Sequence, residues 1–310
     1  MRIGIVGTGR MGTAVARRLL ELGNEVWVWN RTTSNAHDAL EAGAKWTPTL
    51  GELVDHSEVV ISFLRDNAAV RRVYLGSNGL LSCRVEGRHF IDMSTVTPDA
   101  HWPIGPVMMS RDAGFIECPV SGSISAARSG SLVGFAGGEA LEYARVRPLL
   151  EQLCRRVEHL GPLGAGARMK LAANLLLTVF WQALGESLLL VDPSGSDAAR
   201  AVDLLADSNI GAAVLRTRAP QVVAAMKGTA PGMAAFDVDT MRKDLRYMAQ
   251  EALAHGNSLP LATRTLECFD RASQEGSGDV DSVAYPAYWL ARQKAVAGNG
   301  WQSAAVESTP

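Results

Sequence analysis

At 310 residues the chain is about two domains long by the usual ~150 residues each, and an apolar content of 47% is enough to give each its own core. Disordered, collagenous and mini-scaffold readings are excluded. Thirty lysines and arginines against 32 acidic residues leave a formal charge of −2, which supplies no footprint for nucleic acid or an anionic membrane. A small molecule, or a second copy of the chain, is the expected partner.

The opening Met1-Arg2-Ile3-Gly4-Ile5-Val6 reads as a strand over 2–6 and leaves no room for a charged leader and an apolar signal core, so a cytoplasmic location is expected. Gly7-Thr8-Gly9-Arg10-Met11-Gly12 follows at once and opens a helix over 11–22, the context that gives a G-x-G-x-x-G its meaning. Gly7 permits the tight turn, Gly9 lets the main chain approach a pyrophosphate, and Gly12 lets the helix lie close on the strand, its N-terminus facing the anion. A second strand over 25–29 ends before Asn30-Arg31-Thr32, where an NAD-binding chain places an acid for the ribose hydroxyls. Here Arg31 can pair with a 2′-phosphate, and Asn30 and Thr32 can add hydrogen bonds, so NADP(H) is the expected cofactor.

Further strands over 58–63, 88–92, 114–117, 131–136 and 155–159 alternate with helices over 34–42, 66–74, 99–113 and 139–153, the rhythm of a parallel sheet with crossover helices. The rhythm stops at Gly161-Pro162-Leu163-Gly164-Ala165-Gly166, beyond which the sequence is helical and Ala/Leu-rich to about 297, with turns at 192–195 and 227–232. The fold class is therefore α/β: an N-terminal Rossmann-type parallel-sheet domain, 1–163, then an all-helical C-terminal domain, 164–297, and a loose tail, 298–310. The apolar stretch 171–191 could span a bilayer by length but carries Asn174, Gln182, Glu186 and Ser187, so a protein-buried helix over 165–191 and no membrane are expected, with Glu186 a satisfied buried carboxylate. The helical surface exceeds what covers one sheet, which points to a homodimer or homotetramer built through the C-terminal helices. Cysteines 83, 118, 154 and 268 form no C-x-x-C pair and no histidine falls at ligand spacing beside them, so buried thiols and no metal are expected.

Five blocks in chain order resemble the β-hydroxyacid dehydrogenase family, which includes 3-hydroxyisobutyrate dehydrogenases and glyoxylate/succinic semialdehyde reductases. They are Ile5-Val6 with the glycine loop and its Met11; Asp92-Met93-Ser94-Thr95 with Pro98; Cys118-Pro119-Val120-Ser121-Gly122 with Ala127 and Gly130-Ser131-Leu132; Gly164-Ala165-Gly166 with Lys170 and Asn174; and Phe236 with Lys243-Asp244-Leu245. The resemblance implies hydride transfer between NADP(H) and a small β-hydroxyacid or aldehyde acid. Lys170 is then the catalytic acid/base, with Asn174 beside it. Ser121, Gly122, Ser123, Thr95, Phe236 and Asp244 would hold a carboxylate-bearing substrate, while the glycine loop, Asn30, Arg31, Thr32, Leu64, Thr95 and Lys243 would hold the cofactor. The spacing agrees: Lys170 and Asn174, four apart, share a helix face expected to meet the cleft between domains, and the Ser121-Gly122 turn could offer main-chain N–H groups to a carboxylate. A lysine in that role needs its pKa brought toward neutrality by burial and neighbouring positive charge.

Ser123 replaces a glycine common in the family, Ala126 another, and 191–197 departs from the usual Gly-Leu-Asp link. Two competing readings share the architecture. Imine reductases or reductive aminases usually carry aspartate or tyrosine where Lys170 stands, and a non-catalytic NADP-binding module would not need the Lys170/Asn174 pair. Enzymes of the 6-phosphogluconate type carry a much larger helical domain.

Overall fold

The structure is a computed structural model that describes residues 1–191, 198–208, 212–229, 234 and 236–298. The turn expected at 192–195, most of the link 191–197, the end of the turn at 227–232 and nearly all of the tail lie outside the described residues. In chain order the elements are β1 (Arg2–Val6), α1 (Arg10–Glu21), β2 (Glu25–Trp29), α2 (His37–Glu41), β3 (Lys45–Trp46), α3 (Leu50–His56), β4 (Val59–Ser62), α4 (Asn67–Leu75), β5 (His89–Asp92), α5 (Gly105–Ser110), β6 (Gly114–Glu117), β7 (Val120–Ser121), α6 (Ile124–Arg128), β8 (Leu132–Gly138), α7 (Ala140–Leu153) and β9 (Cys154–His159). Helices alone follow: α8 (Ala165–Val191), α9 (Ala198–Asp207), α10 (Ala213–Met226), α11 (Val238–Ala254), α12 (Pro260–Ala272) and α13 (Tyr285–Gly298).

Among the described residues one sheet runs in the order β3-β2-β1-β4-β5-β6-β8-β7, with β9 paired to β8. From β3 to β6 every pairing is parallel. Strands covered by helices on both faces must be apolar throughout. Accordingly Ile3, Ile5, Val59 and Ile61 pack with Val15 and Leu19 of α1, while Val6, Val60 and Phe90 pack on the opposite face with Leu53 of α3, Val70 and Tyr74 of α4 and Met108 of α5.

Besides the short strands β3 and β7 and the short helix α6, three features depart from the expected pattern. β8 runs antiparallel to β6 and β7. The chain between β7 and β8 holds only the five-residue α6, too short for the crossover that parallel pairing requires. The helix expected over 99–113 breaks up, leaving α5 alone at Gly105–Ser110, because Pro103 lacks the N–H and crowds the preceding turn. Residues 50–56 form α3, which the apolar pattern did not reveal. Its signal is a capping box, in which Thr49 Oγ1 accepts from the Glu52 N–H at 3.2 Å.

The chain forms two compact units, residues 1–174 with 247–258, and residues 175–246 with 259–310. In the second unit Phe269 stacks on Tyr285 at 4.0 Å, and the Tyr285 hydroxyl donates to Gln182 Oε1 at 2.7 Å. Helix α8 has the expected limits, yet only 39% of its most apolar 18-residue window is buried within the chain, and Leu176 and Leu190 are 75% and 90% exposed. Glu186, expected to be buried, is exposed and accepts from Gln182 Nε2 at 2.6 Å. By length and composition α8 is the one described helix able to cross a membrane.

The head of α8 lies hard against the sheet. A Cβ on Gly166 would run into the Phe135 carbonyl oxygen of β8 and come within 3.2 Å of Glu117 Oε1. Gly166→Ala should therefore lower the unfolding free energy by about 1–3 kcal/mol, the usual cost of overpacking a close contact. Urea denaturation of the two proteins measures it.

Candidate functional site

The glycine loop joins the end of β1 to α1. Gly7 has φ +95°, and a Cβ there would meet the Phe63 carbonyl oxygen, while a Cβ on Gly12 would meet the carbonyl oxygen of Gly7. Those two glycines serve the turn and the helix contact. Gly9 is different, because a Cβ there would meet nothing within 4 Å, so its main chain faces open space. It is also the N-cap of α1, with no side-chain cap and no acidic residue in the first turn, which leaves the first N–H groups of α1 for an anion. Thr8 is 3% exposed, and its Oγ1 has no hydrogen-bond partner among the described residues. These residues fit a dinucleotide pyrophosphate.

Asn30 braces this loop from the end of β2. Its Oδ1 accepts from the Thr8 N–H at 3.1 Å, and its Nδ2 donates to the Thr32 carbonyl at 2.8 Å. The amide thus shapes the loop that the sequence reading assigns to the cofactor. Arg31 and Thr32 beside it are exposed. After β4, the Leu64 N–H donates to Ser94 Oγ at 2.8 Å, and Leu64 Cδ2 lies 3.7 Å from the position a Gly7 Cβ would take. The loops after β1, β4 and β5 are thereby tied together. Asn67 strengthens the tie, with its Oδ1 accepting from the Thr97 N–H at 3.2 Å, its Nδ2 bonded to Thr97 Oγ1 and its own N–H donating to the Tyr247 hydroxyl at 3.1 Å. Thr95 lies half-buried in the segment so held.

The Ser121-Gly122-Ser123 turn leaves β7. Gly122 has φ +143°, and a Cβ would approach Leu132 Cδ2 to 2.7 Å, so the turn demands glycine there. Ser123 accepts the Ala126 N–H at 3.2 Å and caps α6. Lys170 is half-buried and Asn174 is 5% exposed, one turn apart near the start of α8. These residues, with the cofactor loops, belong to the first unit; Phe236, Lys243 and Asp244 belong to the second, where Lys243 Nζ lies 2.9 Å from Asp244 Oδ1.

A buried chain of polar groups under these loops escaped the sequence reading. His101 is fully buried, with Nε2 2.7 Å from Asp92 Oδ2 and Nδ1 2.6 Å from Glu117 Oε2. Glu117 Oε1 accepts the N–H groups of Gly164, Gly166 and Ala167 at 2.7, 2.8 and 3.2 Å, which fixes the head of α8. Asp92 Oδ1 accepts the hydroxyls of Ser94 and Ser62. The Ser62 proton is thereby used, so the Tyr74 hydroxyl, 2.8 Å away, donates to Ser62. Burial, with the charge of Asp92, keeps the Tyr74 phenol well above its ordinary pKa, so it remains a donor. The legible signal was Glu117 itself, an acid closing the apolar run Gly114-Phe115-Ile116.

None of the four cysteines is in a disulfide; Cys118 and Cys154 are buried, but Cys83 and Cys268 are partly exposed, against expectation. Burial pushes the Cys118 thiol well up and the Cys154 thiol to about 12, so neither is a nucleophile at neutral pH.

Two family profiles match the chain. The "NAD binding domain of 6-phosphogluconate dehydrogenase" covers residues 2–161, and the "NAD-binding of NADP-dependent 3-hydroxyisobutyrate dehydrogenase" covers 164–289. The chain is 31% identical over 284 residues to glyoxylate/succinic semialdehyde reductase 1 of Arabidopsis thaliana, covering 92% of this chain and 96% of that one. It is 32% identical over 278 residues to 3-hydroxyisobutyrate dehydrogenase of Pseudomonas aeruginosa, covering 88% and 92%. Among solved structures, Psf3 in complex with NADP+ and 2-OPP is similar with a TM-score of 0.82 and 28% identity, covering 92% of this chain and 99% of that one.

Burial alone would push the His101 imidazole down, but its hydrogen bonds to Asp92 and Glu117, with their charges, outweigh this and raise it from 6.5 to about 9. A pKa higher in the folded than in the unfolded chain gives stability that is complete below about pH 6.5 and lost as pH rises through about 9. Denaturant midpoints of wild type and His101→Gln between pH 6 and 10 test the sign. The wild-type advantage should shrink as pH rises across this window, and an advantage that grows with pH contradicts the assignment.

Proposed function

The chain belongs to the β-hydroxyacid dehydrogenase family, and on that premise we propose that it is an NADPH-dependent reductase of a small aldehyde acid of the glyoxylate or semialdehyde type. Its coarser activity, NAD(P)-dependent oxidoreduction at CH–OH, is that of the family. The observation that carries the finer reading is Lys170 with Asn174 one turn behind it, near the start of a helix whose N-terminus is pinned by Glu117. A dinucleotide held by the glycine loop would supply hydride to the carbonyl carbon. Charge then develops on the carbonyl oxygen, and Lys170 Nζ gives it a proton; in the reverse direction the same amine takes the proton of the alcohol. Asn174, almost fully buried, orients the substrate oxygen beside that amine. The turn at Ser121-Gly122 grips the substrate carboxylate through main-chain N–H groups, and Thr95 adds a hydroxyl. A lysine at position 170 favours carbonyl chemistry over imine chemistry. The unpaired thiols support a cytoplasmic setting.

Cofactor choice rests on Arg31, an exposed guanidinium at the end of β2 with no carboxylate beside it in Asn30-Arg31-Thr32. A second copy of the chain is the proposed cover for the apolar side of α8 around Leu176 and Leu190. A monomeric mass by light scattering at micromolar concentration would defeat that part.

Arg31→Ala should cut the preference for NADPH over NADH by about ten- to a hundredfold, the value of one charge-assisted pair. Fluorescence titration of both cofactors measures the ratio, and an unchanged ratio removes Arg31 from cofactor recognition. Lys170→Ala should lower kcat by ~10²–10⁴-fold while leaving NADPH affinity within about threefold. The assay follows NADPH oxidation against glyoxylate, succinic semialdehyde, methylmalonate semialdehyde and tartronate semialdehyde, with cyclic imines as controls. Activity confined to the imines would reverse the assignment.

A further inference from the structure

Ser62, Asp92 and Glu117 are register partners at the last positions of β4, β5 and β6, so two buried carboxylates stand side by side on adjacent strands. Like charges so placed repel, and burial magnifies the repulsion. His101 lies between them with one ring nitrogen on each, and because both partners are acceptors the ring donates from both nitrogens as an imidazolium. The Phe115 ring lies 5.7 Å from it, and the Ser62, Ser94 and Tyr74 hydroxyls lie on the far side of Asp92.

Glutamate has three rotatable side-chain bonds, yet one oxygen of Glu117 sets three N–H groups at the head of α8. What restrains that carboxylate is His101 on its other oxygen, and Gly137, where a Cβ would collide with Glu117 Oε1. Without the imidazolium between them the two carboxylates would push apart, and a displaced Glu117 would hold the helix less firmly. Lys170 follows Ala167 by three residues, less than one turn, so a shift of the helix head is a shift of Lys170.

We propose that His101 is a positioning residue for the reaction: by joining Asp92 to Glu117 it locks the helix head that carries Lys170 to the segment after β5 that carries Thr95. The inference rests on Lys170 being the acid/base. It assigns His101 no contact with substrate or cofactor.

Two readouts on His101→Ala test it, one of them independent of any substrate. Amide hydrogen exchange over 163–171 should accelerate about tenfold or more, with exchange over α1 unchanged, because the N–H groups of Gly164, Gly166 and Ala167 lose their fixed acceptor. With NADPH and the best aldehyde acid, kcat should fall by about 10–100-fold, the cost of a misplaced catalytic group, with KM and NADPH affinity within about threefold. In a Lys170→Ala background the same substitution should change kcat by less than about threefold, since a residue acting through Lys170 has nothing left to position. Glu117→Gln, which keeps the shape and an acceptor, should give a smaller effect of the same kind and carries both tests if His101→Ala does not fold. Unchanged exchange over 163–171 overturns the inference, as does a kcat loss that is fully additive with Lys170→Ala. If wild type reduces none of the aldehyde acids, the reading of the reaction fails while the exchange result still decides whether His101 holds the helix.

Discussion

Two carboxylates buried side by side at the ends of β5 and β6 are intolerable without a counter-charge, and the fold meets that constraint with one imidazolium. Much else hangs from the resulting chain. On the Asp92 side it reaches the Ser94 hydroxyl and through it the Leu64 main chain; on the Glu117 side it reaches the first turn of α8. Replacing such a cluster with apolar residues would remove its desolvation cost, but the strand ends and the helix would then lose their common acceptors. A cluster expensive to bury is retained where it gives position, and here it holds the head of α8 and the segment after β5.

All of this lies at one edge of the sheet. The glycine loop follows β1, Asn30-Arg31-Thr32 follows β2, Leu64 follows β4, Ser94 and Thr95 follow β5, and Glu117 closes β6. In an open parallel sheet the carboxyl ends of the strands open a crevice where the strand order reverses, here between β1 and β4.

The parallel half of the fold was legible because each signal was local. A run such as Ile3-Gly4-Ile5-Val6 can be read as a strand, and Gly7-Thr8-Gly9 as a phosphate turn, from a few adjacent residues. The antiparallel return of β8 was not, since it depends on how little chain separates β7 from β8. The apolar spacing over 99–113 is helical but Pro103 interrupts it, and α3 is hidden because its capping box, not its periodicity, announces it. For the site, the glycine loop and the Lys170/Asn174 spacing were visible in the sequence. The Asp92–His101–Glu117 chain was not, because its members are 9 and 16 residues apart and meet only through the register of two strands. A lone histidine between Pro98 and Pro103 gives no sign in sequence that two carboxylates will close on it.

Asn30 shows how the same position can change its task when the residue changes. A carboxylate there would accept hydrogen bonds from a ribose and repel a 2′-phosphate. An amide accepts the Thr8 N–H through its oxygen and donates to the Thr32 carbonyl through its nitrogen, which a carboxylate without a proton cannot do. At this position Asn30 is part of the turn that shapes the glycine loop. Under the proposed NADPH preference, discrimination would fall to the next side chain, Arg31, which has permanent charge and planar donors.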